Sequence, residues 1–294
     1  YFRSEFPRRF SMPVIYSMPS QQLRIGRLAL MFVDGERNEA IAGVCRNLSM
    51  WRRFGRDNRE LIQTMIAVSR RDVDIQLFAS MLAELQPGES LPEECSTALN
   101  PVATEEVSMC SSMMGELDYT DAILESIITN AQSGKETGWF ERHAQPLVLD
   151  AAQTRAWRAL NVARYCNAEV STQVLLDQRV ENQPLDIDWL DCASNLIGCT
   201  LVSIAAPGYD DYQERLLDSS AHLRLAATVA WLRESGSSGQ SLQERFDARP
   251  ESMRSGIRAT GISEDGHAIW VDNLFTQRAA RFSLPLATSK DSTP

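Results

Sequence analysis

The sequence predicts a mainly α fold, an irregular helical bundle of αα-hairpins with a small C-terminal β-hairpin. Three observations predict it. Apolar residues recur at helical spacing through most of residues 21–235. Short turn signals separate the periodic runs: Asp34-Gly35, Pro87-Gly88, Ser133-Gly134 and Gly236-Ser237-Ser238-Gly239. Beyond residue 250 two short runs flank Glu264-Asp265-Gly266, and Asp-Gly is a strong hairpin signal.

Residues 1–20, with Pro7, Pro13 and Pro19, read as an extended N-terminal arm. Leu23, Leu28 and Met31 start a first helix. Ala40, Val44, Leu48 and Trp51 share one face of a second, which makes an αα-hairpin. Asp57 and Glu60 approximate a capping box for the next helical run, Leu61 to Leu85, which is either one helix or two broken near Arg70. A short helix follows over Pro92–Leu99, with proline near its first position. Ile123, Leu124, Ile127 and Ile128 place another over Asp121–Ala131. Asp150 caps a helix bearing Ala152, Ala156, Leu160 and Ala163 on one face, and residues 167–187 read as irregular. Asp188–Ala206 is helical by pattern and stops at Pro207-Gly208; Tyr209–Glu234 is a long amphipathic helix. Ile257–Gly261 and Ala268–Asp272 form the hairpin, and Phe282-Ser283-Leu284 adds a third short strand. The organisation expected is therefore an arm (1–20), a helical domain (21–235), a C-terminal α/β element packed on the helices (240–285) and a disordered tail (286–294).

With 294 residues, 44% of them hydrophobic, the chain has enough apolar material for one large core or two medium ones. A net charge of −10 argues against nucleic acid as partner, because phosphate binding needs a basic surface. No run of about 18 apolar residues is present to span a bilayer. The first residue is Tyr1 rather than Met, and the expectation is that a cleaved signal or a membrane anchor precedes it.

The six cysteines form no Cys-x-x-Cys pair and accompany three histidines, a poor set for zinc. Cys95 and Cys110 flank Asn100-Pro101, a chain reversal, and a bridge between them would stabilise by roughly 3 kcal/mol. Cys192 and Cys199 lie about 10.5 Å apart along an unbroken helix, too far to bond. They pair only if the helix breaks near Gly198, or one of them pairs with Cys166; six buried thiols are the remaining alternative.

Charge is strongly segregated. Residues 72–134 contain twelve acids and no lysine or arginine, whereas residues 1–71 carry thirteen arginines against six acids. Either the acids pair with those arginines, or they form an exposed face that steers a basic partner. The candidate partner-binding residues are Glu93, Glu94, Glu105, Glu106, Glu116, Asp118 and Asp121, with Trp139 as an aromatic anchor beside a glycine-rich turn. Asp118 and Asp121 offer two calcium ligands but no twelve-residue loop. No phosphate loop, dinucleotide fingerprint, zinc-helix motif or nucleophile elbow is found, so no cofactor, metal or catalytic residue is assigned. His143, His222 and His267 read as surface or core histidines, and Glu116 with Asp121 as a chance carboxylate pair. Met109, Met113 and Met114 are available for self-association, which leaves a homodimer open.

Several segments together resemble a family. They are Trp51-Arg52-Arg53 with Asn58 and Leu61-Ile62-Gln63-Thr64-Met65-Ile66-Ala67-Val68; Leu91-Pro92 with Cys95, Cys110 and Gly115-Glu116; and Asn195-Leu196-Ile197-Gly198 leading to Ala205-Ala206-Pro207 and Tyr212. They are similar to N-terminally membrane-anchored helical proteins of the bacterial periplasm, found in bacteria with antibacterial type IV secretion systems. Some members act as immunity proteins against toxic effectors. The likeness covers most of residues 21–220. It implies a periplasmic protein, tethered to the inner membrane, that binds a cognate effector without catalysis. A cell-envelope enzyme with an unrecognised site and a self-associating envelope scaffold are the alternatives.

Overall fold

The computed structural model describes residues 18–86, 89–133, 149–180, 185–235, 239–277 and 279–287. The chain is mainly helical, with one small sheet among the described residues. Among the described residues its helices are α1 (Met18–Val33), α2 (Arg37–Asp57), α3 (Leu61–Glu84), α4 (Glu93–Ala98), α5 (Thr104–Val107), α6 (Cys110–Ser133), α7 (Ala151–Ala163), α8 (Ala168–Leu175), α9 (Trp189–Ser194), α10 (Leu196–Glu234) and α11 (Leu242–Asp247). Single 3-10 turns follow α7 (Arg164–Cys166) and α11 (Glu251–Met253). Strands β1 (Thr260–Ile262), β2 (Ala268–Asp272) and β3 (Arg281–Pro285) form an antiparallel sheet in the order β1-β2-β3.

The predicted αα-hairpin is α1–α2, turned at Gly35 with φ of 101°, a left-handed conformation that glycine adopts without steric cost. Helix α3 packs against both α2 and α10. Ala40, Ile41, Val44 and Leu48 of α2 meet Ile75, Phe78 and Leu82 of α3 and Leu225, Val229 and Leu232 of α10. Ile269, Val271, Phe282 and Leu284 of the sheet join the same core. A second cluster joins Leu61 and Val68 of α3 to Met113 of α6, Val162 of α7 and Leu216 of α10. Trp51 and Trp157 are buried, as their helical spacing predicts.

Helix α3 is one helix and starts without the predicted capping box: α2 runs through Asp57 itself. The Leu61 N–H at its first turn is instead taken by the Glu116 carboxylate of α6. That approach is close, because a Cβ on Gly115 would fall 1.7 Å from the Arg59 carbonyl oxygen. Helix α6 begins at Cys110, well before the predicted Asp121. Met109 and Met113 are fully buried there, which removes them from any self-association surface. Residues 168–175, read as irregular, form α8, capped by Asn167 Oδ1 accepting from Val170 N at 2.7 Å.

The largest departure lies in α10, which continues through Pro207-Gly208 and breaks instead at Asn195. Proline removes one backbone donor and strains one turn. Packing of Val202 before it and Leu216 after it anchors the helix on both sides. At the termini, Met18–Ser20 belong to α1 rather than to an extended arm. Leu286 is buried and donates its N–H to His267 O at 2.8 Å, so the tail begins later than predicted. The rest of the arm (1–17) and of the tail (288–294) lie outside the described residues.

All six cysteines are bonded, but not as Cys95–Cys110. The pairs are Cys45–Cys95, Cys110–Cys166 and Cys192–Cys199. Cys95 lies on α4, which packs along α2 beside Cys45; Cys110 opens α6, which packs on α7 and faces Cys166. Proximity in sequence across a reversal lost to helix packing. The third pair forms for the reason anticipated, a break in the helix, though at Asn195 rather than Gly198.

Candidate functional site

Among the described residues, three acids of the segment, Glu94, Glu106 and Asp118, are paired with arginines of the first 71 residues. Arg46 Nη1 of α2 donates to Glu94 at 2.9 Å, and Arg59 Nη2 donates to Asp118 at 3.1 Å. Both pairs are solvent-exposed and stabilise little on their own.

Glu106 departs from the expected role entirely, because it is buried. Arg52 grips it with Nε and Nη2 at 2.8 and 2.7 Å, and the Ala103 N–H donates to it at 3.2 Å. The other guanidinium hydrogens go to the carbonyls of Ala98, Asn100 and Pro101. Burial pushes the Glu106 carboxyl up, but Arg52, Ala103 N–H and Arg71 outweigh it, so the group ends below its usual value. Glu106 fastens the 98–106 turn to α2 and is not available to a partner.

Glu116 is half-buried at the α3 N-terminus, where burial raises its carboxyl despite the Leu61 N–H and Arg158. It lines a cavity of about 10 Å³ with Leu117, Arg158, Asn161, Val162, Val202 and Tyr209, room for roughly one water. Burial also lowers Arg158, which lies in the field of Tyr209, Asp121 and Glu116. Glu116 and Asp121 thus both act electrostatically on one arginine, Arg158. Among the described residues no group of three or more histidine, cysteine or carboxylate side chains is placed to hold a metal ion.

Of the candidate set, Glu93 and Glu105 remain exposed and outside any salt bridge among the described residues. They sit on α4 and α5, which both pack against α2. Trp139 and His143 lie outside the described residues. His267 is exposed in the hairpin turn. His222 is a core histidine: Nδ1 lies 3.0 Å from Asp72 Oδ1, Nε2 lies 2.9 Å from Asn273 Oδ1, and the ring stacks on Phe282 at 3.7 Å. It joins α3, α10 and the sheet.

One titratable group escaped the sequence reading. Asp74 of α3 is 1% exposed, and burial pushes its carboxyl up to about 7 against the fields of Arg24 and Arg70 and a hydrogen bond with Asn47. Its signal in the sequence was an acid on the apolar face between Ala67 and Phe78, three residues from each of Arg71 and Leu77. Below pH 4 Asp74 is neutral whether folded or unfolded. Between about pH 4 and 7 the folded chain alone keeps the proton, so stability falls as pH rises through that window. Asp74→Asn is therefore expected to leave stability unchanged at pH 4 and to raise it by about 3 kcal/mol at pH 8. Urea unfolding at the two pH values measures this, and an equal gain at both would reject it.

No protein family, curated protein or solved structure matches this chain. Among the described residues, no helix is long and apolar enough to cross a membrane.

Proposed function

We propose that this chain is a periplasmic immunity protein that binds and neutralises a toxic effector of an antibacterial secretion system. The observation that carries the reading is the covalent bracing. All six cysteines are paired, and each bridge ties two separate helical elements. Disulfides persist outside the reducing cytoplasm, which supports a cell-envelope site. A rigid scaffold also suits inhibition by occlusion, which needs only about 800 Å² buried per partner around an active site. The resemblance of residues 21–220 to anchored periplasmic proteins supports the same reading.

The acidic face keeps a narrower role than the sequence suggested, centred on Glu93 and Glu105. Such rim carboxylates act mainly on the rate of encounter with a basic partner. Glu93→Arg with Glu105→Arg is expected to weaken binding of the effector encoded beside this chain about tenfold, mostly through slower association. Surface plasmon resonance at two salt concentrations measures it. Undiminished affinity in the double variant would remove the acidic face. A reaction turned over by the purified chain, and lost with one histidine or carboxylate, would remove the functional reading itself.

A further inference from the structure

Helix α9 buries no residue of its own. Trp189 is 73% exposed, and Leu190, Leu196, Ile197 and Leu201 are also exposed, all within thirteen residues of chain around the α9–α10 junction. Exposed apolar side chains on a weakly packed helix would ordinarily fray. Here the backbone beneath them is locked. The Cys192–Cys199 bridge joins α9 to the first turn of α10. Asn195, fully buried between the helices, accepts from Asp150 N at 2.9 Å and Gly198 N at 3.2 Å. Its amide donates to Asp150 O at 3.1 Å and Thr154 Oγ1 at 2.9 Å. Gly198 allows the contact, since a Cβ there would fall 2.0 Å from Thr154 Oγ1. Gly198 and Val202 face α7, which turns Leu196, Ile197 and Leu201 outward by helical periodicity.

Polar bonds and a disulfide hold this elbow, and its apolar residues contribute little to the core. That is the construction of a pre-organised binding surface, in which the ordering cost of a large aromatic anchor is met before association. Its charge selects the occupant. Residues 185–203 carry Asp186, Asp188 and Asp191, all exposed, and no lysine or arginine. A second copy related by a two-fold axis would set these carboxylates against each other. An anionic bilayer would repel them. We infer that the α9–α10 elbow docks a protein surface in which an apolar cleft is rimmed by arginine or lysine, with Trp189 as the inserted anchor. This rests on the proposed protein-binding role and supplies its contact surface.

The test uses the disulfide-intact chain with an amphipathic helical peptide of leucine and arginine, and with its leucine–glutamate counterpart. Binding of the arginine peptide is expected to shift tryptophan emission to the blue, to weaken with added salt, and to fall at least tenfold in Trp189→Ala. Asp186→Asn with Asp191→Asn keeps the Asp188 cap and is expected to lose several-fold. Equal binding of the glutamate peptide would overturn the inference. So would concentration-dependent dimerisation lost in Trp189→Ala, or a blue shift with phosphatidylcholine vesicles equal to that with the arginine peptide. Trp189 is solvent-exposed, so unchanged far-ultraviolet circular dichroism certifies the variant. With the effector as ligand the two readings separate. If wild type and Trp189→Ala bind it equally, the elbow falls and the function stands. If the elbow takes the arginine peptide while wild type ignores the effector, the function falls and the elbow stands.

Discussion

Replacing Cys45 and Cys95 by alanine is expected to lower the unfolding free energy by about 4 kcal/mol. The bridge closes a loop of 50 residues, and the chain-entropy argument gives a cost that grows with the logarithm of loop length. Native packing adds to the effect. Helix α4 has only six residues and buries just Cys95 and Ala98, so little apolar surface holds it to α2 without the bond. The Arg46–Glu94 pair, the Arg52 hydrogen bond to Ala98 O and the half-buried Leu91 and Leu99 at its two ends still hold it. The Cys192–Cys199 bridge closes a loop of seven residues, and its removal is expected to cost about 2 kcal/mol. Guanidinium unfolding of the two double-alanine variants, with the other bridges intact, gives the comparison. Equal losses would show that strain or residual structure, not loop length, sets the stabilisation.

The helices were legible because their apolar stripes run unbroken for several turns. Ala40, Val44, Leu48 and Trp51 of α2 and the strand Ala268–Asp272 fall where the pattern puts them, whereas β1 spans Thr260–Ile262 rather than Ile257–Gly261 and leaves Ile257 exposed. Boundaries failed where a distant residue decides them. The start of α3 depends on Glu116, 55 residues away from Leu61, and no local capping rule can find that. Proline at 207 was read as a stop because propensity is local, whereas α10 is held by contacts on both flanks of it.

Glu106 drops out of the acidic candidate set for a related reason. Composition gives the sum of charges, but pairing depends on which helices become neighbours. Glu106 is separated by 54 residues from the arginine that neutralises it. The elbow was visible in the sequence only as the apolar residues Trp189, Leu190, Leu196 and Ile197, which look like core until the fold leaves them outside. Asn195 reads as an ordinary helix residue until its four hydrogen bonds are seen.

Arg258→Met is expected to cost about 4 kcal/mol at pH 8, because it leaves two buried carboxylates without their principal cation. The guanidinium lies between Asp177, at 2.7 Å from Nη2, and Asp218, bonded to Nη1. Asp218 also accepts the N–H groups of Leu274 and Phe275 at 2.8 and 3.0 Å, just past β2. Asp177 has a second, longer contact to Arg224 at 3.6 Å and sits at φ of 56°, a left-handed position that aspartate tolerates better than most residues. The network therefore clamps the chain after α8, the middle of α10 and both ends of the β1–β2 hairpin. Burial already raises the Asp177 carboxyl against the pull of Arg258 and Arg224. Without Arg258 it rises further, and a protonated acid costs less to bury than a carboxylate. The deficit of Arg258→Met should accordingly shrink from pH 8 to pH 5. Adding Asp177→Asn should recover about 1 kcal/mol or more at pH 8 and little at pH 5. Hydrogen exchange locates the damage: amides of 259–285 are expected to lose protection before those of α2 and α3, which share no member of the network. A loss below about 1 kcal/mol, or uniform loss of protection, would mean that apolar packing of Ile269, Val271 and Leu284 alone docks the sheet.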